Sequence, residues 1–167
     1  DQQFPVDIFQ TGSGTSSNMN ANEVVANLAA ERLGSPVHPN DHVNLGQSSN
    51  DVVPTAIHVS VLLLWQRELQ PALQVLVASL ARREAELASV TKTGRTHLMD
   101  AMPLTFGQEV SAWRAQVVLA EARLSDAAAR LAQLAQGGTA VGTGINCHVE
   151  FPLRFCAELS RLTSVRF

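Results

Sequence analysis

The chain has 167 residues, 46% of them hydrophobic, with a formal net charge of -3 and a pI near 5.9. This mild acidity argues against nucleic acid or an anionic membrane as the main partner, while a small anion could still bind at a locally positive site. Aromatic residues make up only 5%, Tyr is absent, and Ala and Leu are plentiful, which favours packed helices over a sandwich or barrel. Cys147 and Cys156 have no metal-ligand spacing and make no disulfide framework, so both read as reduced thiols in a reducing, cytoplasmic setting. The most apolar run, Val59 to Trp65, is far shorter than the roughly 18 residues needed to span a bilayer. No signal or transit segment is visible, and the chain opens without Met and stops just after a helical pattern, so both ends read as cut.

In chain order, residues 1 to 17 read as loop or extended chain. Thr11-Gly12-Ser13-Gly14-Thr15-Ser16-Ser17-Asn18 is rich in Gly and hydroxyls. Such a stretch can offer N–H and O–H donors to an anion, or can simply be a turn that caps a helix. A helix is expected from about Asn20 to Leu33, with Val24, Val25, Leu28, Ala29 and Leu33 on one stripe and Gly34 ending it. The next stretch, Pro36 to Asp51, is polar and has little apolar periodicity. Ser49 or Asn50 can cap the helix that follows, which places Ser48, Ser49 and Asn50 at a positive helix end suited to a carboxylate. That helical pattern runs to about Ala88, with a break or bend expected near Pro71.

Gly94 and Pro103 then punctuate a shaped loop, Gly94-Arg95-Thr96-His97-Leu98-Met99-Asp100-Ala101-Met102-Pro103-Leu104-Thr105. A lone histidine in a loop is more often a hydrogen-bonded residue than a catalyst, and Arg95 reads as an organiser of the loop. The longest helix is expected from Phe106 to about Ala135. Phe106, Val110, Trp113, Val117, Ala120, Leu124, Ala127, Leu131 and Leu134 alternate by four and three, a heptad seam roughly 45 Å long. Such a rod needs other long helices beside it, from this chain or from identical copies. Gln136 to Gly144 is glycine-rich but has no P-loop Lys and no preceding strand, so it does not read as a nucleotide site. A last helix is expected from Phe151 to Leu162.

Three separated motifs carry a resemblance. The first is Ser13-Gly14-Thr15-Ser16-Ser17-Asn18-Met19-Asn20-Ala21-Asn22-Glu23. The second is His38-Pro39-Asn40-Asp41-His42-Val43-Asn44 with Gln47-Ser48-Ser49-Asn50-Asp51-Val52-Val53-Pro54-Thr55. The third is Gly94-Arg95-Thr96-His97 with Asp100-Ala101, Pro103-Leu104-Thr105 and Gly107-Gln108-Glu109. In this order and spacing they resemble class II fumarate hydratase of the fumarase/aspartase superfamily, across essentially the whole chain. Aspartate ammonia-lyases are similar but tend to carry Gln where this chain has His97, and they stand as the alternative within the superfamily. A non-catalytic helical scaffold is the alternative outside it.

The resemblance implies an all-α, long-helix bundle fold. Residues 1–36 would end an N-terminal lyase domain, and residues 37–167 would begin a central helical bundle. It implies reversible anti hydration of fumarate to (S)-malate in the tricarboxylic acid cycle, with no cofactor and no metal. Taking a proton from C3 of malate builds charge on a carboxylate, so the site must hold two carboxylates with preorganised donors. By this likeness Ser13, Gly14, Thr15, Ser48, Ser49, Asn50 and Thr96 match substrate-binding positions. His97 matches the catalytic histidine, whose tunable pKa suits proton transfer at the water end. His38, Pro39, Asn40 and Asp41 match a second dicarboxylate site or serve only to shape their loop. Some members have Arg three residues before His38, where this chain has Ser35. The family loop Gly-Ser-Ser-x-Met-Pro-Gly-Lys-x-Asn-Pro, with its serine base and carboxylate-binding Lys and Asn, does not occur in these residues. The resemblance further implies a homotetramer whose sites each draw on three subunits, with a dicarboxylate as partner and neither nucleic acid nor membrane. The 167 residues alone are therefore expected to be an internal fragment with little or no activity.

Overall fold

The structure, a computed structural model, describes residues 2–10 and 12–167. Thr11, which opens the small-residue loop, and Asp1 lie outside the described residues. The fold is mostly helical, as expected, with one small sheet. In order come α1 (Thr15–Leu33), a π turn (Pro39–Val43), α2 (Ser49–Leu64), a second π turn (Trp65–Leu69), α3 (Gln70–Glu86), strands β1 (Thr91–Thr96) and β2 (Met99–Thr105), α4 (Phe106–Leu131) and α5 (Phe151–Thr163). The chain divides into two compact units, Asp1–Val61 with Leu131–Phe167, and Leu62–Arg130.

In the first unit α1 begins five residues before the Asn20 suggested by its apolar spacing. Gly14, in the left-handed region at φ 72°, turns the chain into the helix, and its carbonyl accepts the Asn18 N–H at 3.0 Å. The opening turn is polar, so periodicity could not reveal it. The stripe that α1 buries is Asn18, Asn22 and Ala26, at i, i+4 spacing, while Val25, Leu28 and Leu33 of the apolar stripe face outward. Asparagines fill this inner face because they have partners there. Asn18 Nδ2 donates to Ser49 Oγ at 3.1 Å, and Asn22 Nδ2 to Asn44 Oδ1 at 3.2 Å.

Ser48, one residue before the expected cap, starts α2 with a reciprocal capping arrangement. Its Oγ accepts the Asn50 N–H at 3.2 Å, while its own N–H donates to Asp51 Oδ1 at 2.9 Å. Asp51 is 1% exposed, the most deeply buried large side chain among the described residues.

In the second unit the helical path passes through Pro71 without breaking. Proline lacks an N–H and its ring crowds the carbonyl four residues earlier. The preceding Trp65–Leu69 turn widens to i→i−5 bonding, with Gln70 N–H donating to Trp65 O, which makes room for the ring. The expected central loop is an antiparallel hairpin. Thr91 pairs with Thr105, Lys92 with Leu104 and Thr93 with Pro103; beyond a bulge at Gly94, Arg95 pairs with Asp100 and Thr96 with Met99. Pro103 is tolerated because a two-stranded sheet has only edges. Thr105 then caps α4: its N–H donates to Gln108 Oε1 at 2.9 Å, and its Oγ1 accepts the Gln108 N–H at 3.1 Å. Lys92 Nζ donates to both Glu109 oxygens at 2.9 and 2.8 Å and lies 5.0 Å from the Phe106 ring centroid, tying hairpin to helix. Arg114 Nε donates to Glu84 Oε2 at 2.6 Å, bridging α4 to α3. That bond, with a further one from Ser111, holds the Glu84 carboxyl below its usual range.

Helix α4 ends at Leu131, short of the expected Ala135, and the chain there turns into the glycine-rich segment. Buried apolar side chains among the described residues are Ala26, Leu62 and Val110, whereas the buried polar ones are Asn18, Asn22, Asp51, Thr55, Gln136 and Thr139. Of the α4 seam, Val110 is buried, but Phe106, Trp113 and Leu124 are exposed. No helix among the described residues is long and apolar enough to cross a membrane.

Candidate active site

The first two motifs meet in the first unit. Ser13 Oγ and Thr15 Oγ1 lie 2.9 Å apart, so one hydroxyl donates to the other and one hydrogen stays free. Gly14 between them has no room for a side chain, since a Cβ would come within 2.8 Å of Val53. Val53 belongs to the opening turns of α2, so the two motifs pack together through this point.

Ser48 and Ser49 are arranged as donors. Each Oγ already accepts one hydrogen bond, from Asn50 N–H and from Asn18 Nδ2 respectively. Each O–H hydrogen is therefore left to point elsewhere. An ionised carboxylate accepts but cannot donate, so two oriented hydroxyls at the positive end of a sixteen-residue helix suit it. Asn50 spends one amide hydrogen on Ala140 O at 2.9 Å and keeps a second.

His38 caps the first π turn. Its Nδ1 accepts the Asp41 N–H at 3.1 Å, with Asp41 Oδ2 3.2 Å away, and its N–H donates to His42 Nδ1 at 2.8 Å. These bonds shape the turn Pro39–Val43, and His38 and Asp41 stay exposed at 54% and 76%. Asn40 and Asp41 line a cavity of about 680 Å³, together with Gln47, Ser48, Thr139 and Ala140.

Thr96 and His97 belong to the other unit. They stand where β1 gives way to β2, with His97 and Leu98 forming a two-residue turn at φ 51° and 64°. This is the type I′ arrangement that matches the twist of hairpin strands. Both Thr96 and His97 are exposed. Among the described residues no cluster of three His, Cys, Asp or Glu side chains is placed to hold a metal ion.

Several residues to which the sequence reading gave no site role join this first-unit site. Asn18 aims Ser49, and Asp51 gathers the N–H groups of Ser48, Gly137 and Thr139. Gln136 Nε2 donates to Gln47 Oε1 at 3.0 Å. Besides its place in the second motif, the signal for Asp51 was its position three residues after Ser48, the spacing of a capping box.

A domain model described as a lyase matches residues 1–167, and the chain belongs to that family. More particularly, it is 62% identical over its full length to the class II fumarate hydratase of Xylella fastidiosa and 56% identical over 99% of its length to the class II fumarate hydratase 2 of Pseudomonas aeruginosa. It spans 35% and 36% of those two proteins, about a third of the length of the curated relatives it matches. The class II fumarase of Schistosoma mansoni superposes with a TM-score of 0.94 at 45% identity, covering 98% of this chain and 36% of that one. A 3-carboxy-cis,cis-muconate lactonizing enzyme from Pseudomonas putida, at 20% identity and TM-score 0.73, shares the fold over 96% of this chain and 37% of its own.

Proposed function

We propose that the protein carrying this chain is a fumarate hydratase that interconverts fumarate and (S)-malate by anti addition of water. The likeness of the full chain to class II fumarate hydratases carries this reading. In it, Ser13, Gly14, Thr15, Ser48, Ser49, Asn50 and Thr96 hold the substrate carboxylates, and His97 handles the proton at the water end. The free hydroxyl hydrogens of Ser48 and Ser49 support the carboxylate role. His97, at a hairpin tip without a burying shell, can serve a site completed by other chains. The enzyme is then a cytoplasmic homotetramer whose exposed α4 seam packs on other copies, with residues 1–36 closing one domain and 37–167 opening the next. His38, Pro39, Asn40 and Asp41 form a second dicarboxylate site beside the first, opening on the cavity that Asn40 and Asp41 line.

The test is the loss of fumarate ultraviolet absorbance, measured with the full-length protein and with the 167-residue chain side by side. Activity in the full-length protein alone is expected. Ammonium-dependent formation of aspartate in its place would assign the protein to the ammonia-lyases, and inactivity of both would favour a scaffold.

A further inference from the structure

We propose that Asp51 is a positioning residue of the carboxylate site, and that through it the glycine-rich segment 136–144 forms the second wall of that site. The proposal rests on the reading of Ser48, Ser49 and Asn50 as substrate donors.

The Asp51 carboxylate is 1% exposed, and its partners are three backbone N–H groups. Oδ1 accepts from Ser48 at 2.9 Å, inside the donor motif. Oδ2 accepts from Gly137 at 3.1 Å and from Thr139 at 2.8 Å, some 90 residues further along the chain. A carboxylate removed from water is costly unless its lone pairs are filled, so these bonds hold both segments to one point. Two further bonds close the same seam: Asn50 Nδ2 to Ala140 O at 2.9 Å and Gln136 Nε2 to Gln47 Oε1 at 3.0 Å.

The glycine-rich segment is bent to reach this carboxylate. Gly137 sits at φ 96°, and a Cβ there would overlap the Pro152 ring. Thr139 sits at φ 59°, a left-handed conformation that a β-branched residue adopts only when its surroundings enforce it. Both residues in this region aim their N–H at the same oxygen. Gln47 and Ser48 from one segment and Thr139 and Ala140 from the other all line the cavity of about 680 Å³. Asp51 therefore fixes the donor segment and the glycine-rich segment relative to each other where both line the cavity.

The sign of the effect separates this role from simple charge. A negative group beside a dicarboxylate repels it, so neutralising Asp51 would tighten substrate binding if charge were its contribution. Loss of positioning does the reverse. In the full-length protein, Asp51→Asn turns an acceptor towards a donor and is expected to raise the KM for (S)-malate at least tenfold, with a smaller change in kcat. An unchanged or lower KM overturns the proposal, whatever happens to the thermal midpoint. Hydrogen exchange on the unaltered protein gives a readout that needs no variant to fold. Added (S)-malate is expected to slow exchange across residues 136–144 as well as 48–50. Slowing at 48–50 alone overturns the proposal. A wild-type protein that neither hydrates fumarate nor gains protection from (S)-malate overturns the functional reading, and the proposal with it.

Discussion

His97 occupies a backbone conformation that few residues take readily, φ 51° at the first position of a two-residue turn. Asparagine tolerates that region well, so His97→Asn removes the imidazole while leaving the turn its preferred geometry. In the full-length protein this change is expected to lower kcat by about 10²–10⁴-fold, the usual range for losing a general acid–base group, with an unaltered circular dichroism spectrum. A variant keeping more than a tenth of the wild-type rate would remove His97 from the mechanism. The expectation of a role for this residue came from the Thr96-His97 motif. Its turn was not, because His-Leu is not among the glycine and asparagine pairs that announce type I′ hairpins. Asn18 and Asp51 stood within the motifs, but their partners were illegible for a related reason: their roles lie in which distant N–H or hydroxyl they meet, and spacing along one helix says little about that.

The hairpin shows how far patterning reaches at the scale of an element. Gly94 to Thr105 was legible as a punctuated segment, but Gly94 and Pro103 concealed two paired strands that begin at Thr91. Gly94 is the bulge residue, and a Cβ there would come within 2.5 Å of Met102 O. Gly94→Ala is expected to destabilise by about 1–3 kcal/mol, as overpacking does, read as a lower urea midpoint without a change in slope. The strut between α3 and α4 gives a pH-dependent prediction. Arg114 holds the Glu84 carboxyl below its ordinary range. A lowered folded-state value means that the bond contributes fully above the unfolded value and fades as pH falls through the folded one. Glu84→Gln should therefore lower the unfolding midpoint near pH 7 and make little difference in acid below the carboxylate range. Equal differences at both pH values would argue against the strut. Pro71 was legible as a disturbance, but its relief through a π turn was not. The wider turn carries an extra residue, which rotates the downstream apolar face by about 100° relative to an unbroken α-helix.

For the whole molecule, the expected apolar seam falls on α4 as far as Leu131, yet much of the hydrophobic patterning finds no cover within the described residues. Trp113 is 50% exposed, Leu28 53% and Leu153 78%. The sequence shows that helices have apolar faces, but it does not say which chain supplies the opposite face. Exposed stripes of this kind associate. The 167-residue chain by itself is expected to sediment as a concentration-dependent oligomer, and a stable monomer at tens of micromolar would count against the packing role given to the α4 seam. The polar interior has a calorimetric consequence as well. Unfolding heat capacity tracks newly wetted apolar surface and is reduced by newly wetted polar surface. A chain that hides asparagines, an aspartate and threonines while leaving leucines in water should melt over a broad range with a small heat-capacity step. The sharp step ordinary for its length would return only when copies unfold together, so that the heat-capacity change belongs to the assembly and not to the chain.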